Sequence, residues 1–161
     1  MMVVSDTTAI TTLLKIGEER LLQLLFGSVI IPQAVSDELR AFHPQLPAFV
    51  SLRAVTEPEI RLAGTESLGR GEAEAIKLAK EIGADLLLTD DRKARAAAER
   101  IGIRCAGLPA LLVKAKQSGH LASVQVALEL MEQNGNFCLS ERVRAETLKF
   151  AGEPAQTETG G

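Results

Sequence analysis

Leu86-Leu87-Leu88-Thr89-Asp90-Asp91 is the stretch on which the fold turns. The short apolar run reads as a buried strand, and it stops at two acids. An alanine-rich helix is expected next, over 92–101, with Ala94, Ala97, Ala98 and Ile101 on its buried side and Gly102 ending it. A strand closed by a carboxylate and followed at once by a helix is the unit from which parallel α/β sheets are built.

The same unit recurs towards the N-terminus. Val3-Val4-Ser5 is short and β-branched, a first buried strand, and Asp6 closes it. Helical spacing then runs over 8–26 through Ile10, Leu13, Leu14, Leu21, Leu22, Leu24 and Leu25, broken at Gly17 and stopped at Gly27. Val29-Ile30-Ile31 is the next strand. Pro32 starts a helix to about residue 42, with Val35, Leu39 and Phe42 as its core stripe. Residues 43–47 hold two prolines and read as loop, and a short strand is expected over 52–55. After a polar, irregular stretch over 56–70 comes a helix over 72–82, capped by Gly83. Residues 103–106 are the last strand candidate. Helices are expected over 108–117, 121–133 and 140–150, the last with Ser140 as N-cap. The pattern predicts one domain over 1–150 and a disordered tail over 151–161 with almost no apolar content. The fold class is α/β: a three-layer α/β/α arrangement around a central parallel sheet of four to five strands.

With no Trp, no Tyr and five Phe, the core must be aliphatic. A net charge of -3 excludes a basic nucleic-acid coat but not a nucleic-acid enzyme with local cations. Cys105 and Cys138 are isolated and read as reduced core thiols of a cytoplasmic protein. No apolar run approaches the roughly 20 residues that span a bilayer. The N-terminus lacks the basic-then-apolar pattern of a secretory signal.

Acids stand where ligands bind in such a sheet, beyond the carboxyl ends of the strands. Asp6 closes the first strand and Asp90 the fourth; Glu38 lies one short helix after the second; Glu72 opens the helix over 72–82. Gathered carboxylates repel one another, and a divalent cation relieves that cost. Each acid also has a plainer reading. Asp6 and either Asp90 or Asp91 suit helix N-caps, and Glu72 and Glu74 suit a first helical turn. Glu72 shares a face with Ala75, Ile76 and Ala79 and so points towards the sheet. Glu74 is a second acid nearby, suited to a supporting role or an ion pair. Glu38 borders the stripe of Val35 and Leu39, whereas Asp37 lies farther round and reads as a surface charge. Thr7 and Thr8 follow Asp6 and can orient it or a bound water. Arg70, Arg92 and Arg95 are the candidates for gripping phosphates, Arg92 and Arg95 first. Gly69-x-Gly71 lacks the third glycine of a dinucleotide loop, position 74 being Glu. No Ser/His/Asp arrangement is apparent, and His43 and His120 have no ligand-like spacing.

Val4-Ser5-Asp6-Thr7-Thr8, Ile31-Pro32 with Val35 through Glu38-Leu39, Gly69-Arg70-Gly71-Glu72-Ala73-Glu74-Ala75-Ile76 and Leu88-Thr89-Asp90-Asp91-Arg92-Lys93-Ala94-Arg95 together resemble a PIN-domain protein. The likeness is to the branch related to VapC toxin ribonucleases, including the uncharacterised DUF3368 type, and holds in order and spacing from residue 3 to about 115. It implies a PIN-like fold, Mg²⁺ or Mn²⁺ dependence, cleavage of single-stranded RNA and a homodimer. In toxin members it implies a small antitoxin partner. Carried over, the catalytic and metal-binding quartet is Asp6, Glu38, Glu72 and Asp90, with Glu74 and Asp91 as further candidate ligands. Many PIN proteins have Asp at the third place, and their fourth motif often reads Thr-x-Asp, which selects Asp91; spacing selects Asp90. A catalytically weak PIN-like module that binds nucleic acid or protein is the alternative. A haloacid-dehalogenase-like phosphatase is disfavoured because Thr8 stands where its second Asp belongs. A receiver domain is disfavoured because Cys105-Ala106-Gly107 offers no Lys.

Overall fold

The computed structural model describes residues 1–134 and 137–154. The chain runs β1 (Val3–Ser5), α1 (Thr7–Lys15), α2 (Arg20–Phe26), β2 (Val29–Ile31), α3 (Gln33–Arg40) and β3 (Val50–Leu52). It continues with α4 (Arg70–Ile82), β4 (Leu86–Leu88), α5 (Arg92–Arg100), β5 (Cys105–Ala106) and α6 (Leu108–Gln117), then α7 (Val124–Asn134) and α8 (Glu141–Phe150). The chain gathers into two compact units, Met1–Leu108 and a second beginning at Pro109.

The first unit holds a five-stranded, wholly parallel sheet in the order β3-β2-β1-β4-β5, flanked by helices as expected. Val3, Val4 and Ser5 pair with Leu86, Leu87 and Leu88. Because side chains alternate along a strand, Val4 and Leu87 share one face. They pack there with Ala75, Ile76, Leu78 and Ala79 of α4 and Ala94, Ala97 and Ala98 of α5. Val3 and Leu88 face the other way and are equally buried. Burial on both faces explains why these strands read as unbroken apolar runs. Gly83 takes the left-handed conformation (φ 61°) that ends α4.

Three expectations are corrected. Phe42 is 81% exposed, because α3 ends at Arg40 and the chain turns before Phe42 can join the stripe of Val35 and Leu39. The third strand is Val50–Leu52 rather than 52–55; it is the sheet edge, with Val50 half-buried and both Ser51 and Leu52 exposed, so it lacks a buried apolar alternation. Cys138 is exposed and Cys105 half-buried, so neither is a core thiol, although both are free.

The second unit buries Leu111, Leu112, Ala115, Val124, Ala127, Leu128, Met131 and Leu148. Ser140 caps α8 through the Val143 N–H, as its sequence position suggests. Glu153, which lies in the expected tail, accepts the N–H groups of Val124 (2.7 Å) and Gln125 (3.1 Å), the Ser123 hydroxyl (3.2 Å) and the Lys116 ammonium (3.0 Å). It therefore caps α7 from beyond α8. Residues 155–161 of that tail lie outside the described residues. Glu153→Ala removes acceptors worth about 1–3 kcal/mol. Hydrogen exchange at the Val124 and Gln125 amides should accelerate by about tenfold or more; unchanged exchange at both would show that the cap is dispensable.

Candidate functional site

The sheet order runs outward in both directions from the pair β1 and β4, so the crevice at their carboxyl ends is where a ligand is expected. Asp6 follows β1 directly, and its N–H continues the ladder to the Leu88 carbonyl at 3.1 Å. Its side chain is 3% exposed and accepts the Ala9 N–H at 3.0 Å, capping α1. Burial pushes its carboxyl up from 3.8 to about 7; the Ala9 N–H and Thr89 hydroxyl oppose that shift, and the charges of Asp90 and Glu72 add to it. Asp6 thus feels two of its three predicted partners.

Asp90 follows β4 by two residues. Both of its oxygens lie 3.1 Å from the Leu108 N–H, at the start of α6. Burial raises its carboxyl above the usual range, against the Leu108 N–H and the Arg95 guanidinium. Arg95, predicted to grip phosphate, therefore stands beside an acid. A Cβ on Gly107 would come within 2.3 Å of Asp90 Oδ1.

Glu72 lies in the first turn of α4. Burial, then the charges of Asp91 and Glu38, raise its carboxyl, while the N–H groups of Gly69 and of Glu72 itself hold it down. A Cβ on Gly69 would stand 2.5 Å from its Oε2. Glu38, on α3, accepts the Thr7 hydroxyl. Its two oxygens would each lie 2.8 Å from a Cβ on Gly71. So Asp6, Glu38, Glu72 and Asp90, spread over 85 positions of chain, are linked into one electrostatic neighbourhood.

The other predicted residues divide. Asp91 caps α5 through the Ala94 N–H at 2.8 Å and is exposed, yet its charge reaches Glu72. It is a neighbour of the quartet. Glu74 is committed elsewhere: 7% exposed, it accepts the Ala34 N–H of α3 at 3.1 Å and faces Arg70 at 3.9 Å. The reason is packing, since α3 lies against α4 and its first turn needs an acceptor. Arg70 also reaches Asp37 at 3.8 Å; Asp37 is half-exposed, as its helical position predicts. Both ion pairs are long and the Arg70 side chain is itself exposed, so Arg70 is held only weakly. Thr7 orients Glu38 rather than Asp6. Thr8 and Arg92 are exposed. The sequence reading missed Thr89, whose hydroxyl supports Asp6 and also accepts the Asp91 N–H at 3.2 Å. It missed the Leu108 N–H as well. A Thr between an apolar strand and an acid was the available signal.

Five carboxylates serve five helix starts: Asp6 for α1, Glu74 for α3, Glu72 for α4, Asp91 for α5 and Asp90 for α6. Partial positive charge at helix N-termini favours such acids. This corrects the premise that only a cation makes the cluster tolerable, because backbone N–H groups already offset part of the repulsion. Among the described residues no three of His, Cys, Asp or Glu stand in metal-binding arrangement. The donor chemistry nevertheless fits a hard divalent ion: the quartet is all carboxylate oxygen, and three of its members lie where a neighbouring Cβ would fill their space. Burial and then Glu99 push the Cys105 thiol up to about 11, which disfavours the reactive thiolate. No helix among the described residues is long and apolar enough to cross a membrane.

A comparison with curated proteins finds no match. Among solved structures, a PilT N-terminus domain protein from the hyperthermophilic archaeon Sulfolobus solfataricus P2 superposes with a TM-score of 0.57 at 22% identity, covering 71% of this chain and 93% of that one. At that identity the likeness speaks for the fold. A family model described as DUF3368, PIN domain, matches residues 2–153. PIN domains are a nuclease-type fold whose members generally bind divalent metals. The chain belongs to this DUF3368 family of PIN-domain proteins.

Proposed function

We propose that this protein is a metal-dependent endoribonuclease of the cytoplasm, hydrolysing phosphodiester bonds of single-stranded RNA with Mg²⁺ or Mn²⁺. The observation that carries the reading is the meeting of Asp6, Glu38, Glu72 and Asp90 beyond the carboxyl ends of β1 and β4, within a PIN-domain chain. These four residues would hold the ion. The chemistry it would supply when bound is polarisation of the phosphate and a lowered pKa for an attacking water. Thr7 fixes the Glu38 carboxylate and Thr89 that of Asp6. Leu108 and Arg95 keep Asp90 in place. Arg92 and Arg70, both exposed, receive substrate phosphates, and Arg95 is near enough to Asp90 to join them. The toxin role, the small antitoxin and the homodimer rest on the resemblance to VapC-like proteins. The test is cleavage of a short single-stranded RNA with Mn²⁺, with the same RNA as a duplex and an EDTA-treated sample as controls. Cleavage only of the single strand, and only with metal, is expected; no cleavage in any arm rejects the reading.

One observation favours a second reading, a catalytically weak binding module. Each acid of the quartet already holds a partner of this chain, and none of the described groupings grips an ion as it stands. Titration separates the two. A thermal shift on adding Mn²⁺ supports the enzyme, and its absence supports the module.

A further inference from the structure

We propose that Gly69, Gly71 and Gly107 are positioning residues for the acids, each giving up its Cβ so that one carboxylate can occupy that space. The inference deepens the metal-site reading and rests on it for its functional meaning.

The glycines of this protein fall into two classes. Of the ten described, seven have positive φ: Gly17, Gly27, Gly64, Gly83, Gly102, Gly119 and Gly152. None of those seven has an atom within 4 Å of where a Cβ would stand. They are glycine because the backbone turns left-handed there. Gly69, Gly71 and Gly107 lie outside that class, and Gly69 has an ordinary φ of -59°. Any residue could adopt such a backbone, so a different cause is needed. At each of the three, a Cβ would collide with a carboxylate: Glu72 at 2.5 Å, Glu38 at 2.8 Å and Asp90 at 2.3 Å. Every described glycine with no conformational reason to be glycine thus abuts a different member of the quartet.

The obstructing atoms are ends of side chains, which can move aside. The cost of a methyl group therefore falls on the position of the acid rather than on the fold. Gly71 makes the contrast sharpest. It is the second residue of α4, on helical backbone that alanine favours over glycine. A methyl at Gly71 stabilises the helix while pushing Glu38 off its seat and away from the Thr7 hydroxyl.

The test uses Gly71→Ala in the full chain. Its metal-free melting temperature should equal or exceed that of the wild type, and the carboxyl carbon of Glu38 should shift in the metal-free ¹³C spectrum. Calorimetric titration should show Mn²⁺ binding weakened by about tenfold or more, the scale on which supporting residues tune a metal site. Glu38→Asp withdraws the carboxylate by one methylene. Combined with Gly71→Ala it should recover part of the lost affinity, although alone it weakens binding. An unmoved Glu38 signal overturns the inference. So does a fall in melting temperature in step with affinity and without rescue, which marks a purely structural glycine. If the wild type itself binds no Mn²⁺ while the Glu38 signal still moves, the metal-site reading fails and the positioning role stands.

Discussion

If the proposed activity holds, Asp6→Asn should remove Mn²⁺-dependent RNA cleavage, lowering kcat/KM by about a thousandfold or more, the several kcal/mol that a lost contribution to metal catalysis represents. It does so without harming the fold. Asn is as good an N-cap as Asp, so the Ala9 N–H keeps its acceptor. The same change removes a carboxylate strongly perturbed by burial. Displacement from 3.8 to about 7, at about 1.4 kcal/mol per pH unit, makes ionised Asp6 cost on the order of 4 kcal/mol in the metal-free protein. Activity lost and metal-free melting temperature raised at pH 8 is therefore the expected pair of results. An inactive variant that also melts earlier would mean that Asp6 holds the fold and that its catalytic role is unproven. An active variant would remove Asp6 from the site.

The pH dependence of stability has an equally definite sign. Asp6, Glu72 and Asp90 all have carboxyl groups raised in the folded chain. Folding then keeps protons that the unfolded chain releases, so stability declines as pH rises from about 4 to about 7. Glu153 works in the opposite direction. Burial raises its carboxyl, but the N–H of Gln125, the Lys116 ammonium and the N–H of Val124 together bring it below the usual range. Its contribution is present above its unfolded value and is lost as pH falls through the folded one. Metal-free melting temperature should therefore peak in mild acid and fall towards neutrality. Mn²⁺ should restore it most strongly at pH 8, by about 2.7 kcal/mol at a hundredfold excess over Kd. A profile that stays level between pH 5 and pH 8 in EDTA would count against the convergence of these acids. So would an Asp6→Asn profile with the same slope as the wild type.

Much of this was legible in the residues because the first and fourth strands are apolar runs closed by acids, and a parallel sheet puts such ends together. Helical spacing with Ala75, Ile76 and Ala79 points Glu72 inward, and the side chain is half-buried, within reach of the charges of Asp91 and Glu38. Glu74 was harder. Spacing along α4 says nothing of α3, whose Ala34 N–H claims that carboxylate. Phe42 lies at a helical interval from Leu39, but intervals do not reveal that α3 stops at Arg40. Glycine offers least of all. The same letter stands for a left-handed turn at Gly83 and for a vacated Cβ at Gly71, and only the neighbours in space separate the two.

The double employment of these acids has a practical edge for anyone dissecting the pocket. Truncating Asp6 or Asp91 to alanine strips a ligand candidate and also unravels a helix start, at about 1 kcal/mol for each lost cap. Alanine scanning would thus mix folding defects with chemical ones and credit both to catalysis. Amide isosteres, which leave the backbone contacts in place and erase only the charge, are the cleaner scalpel for this protein.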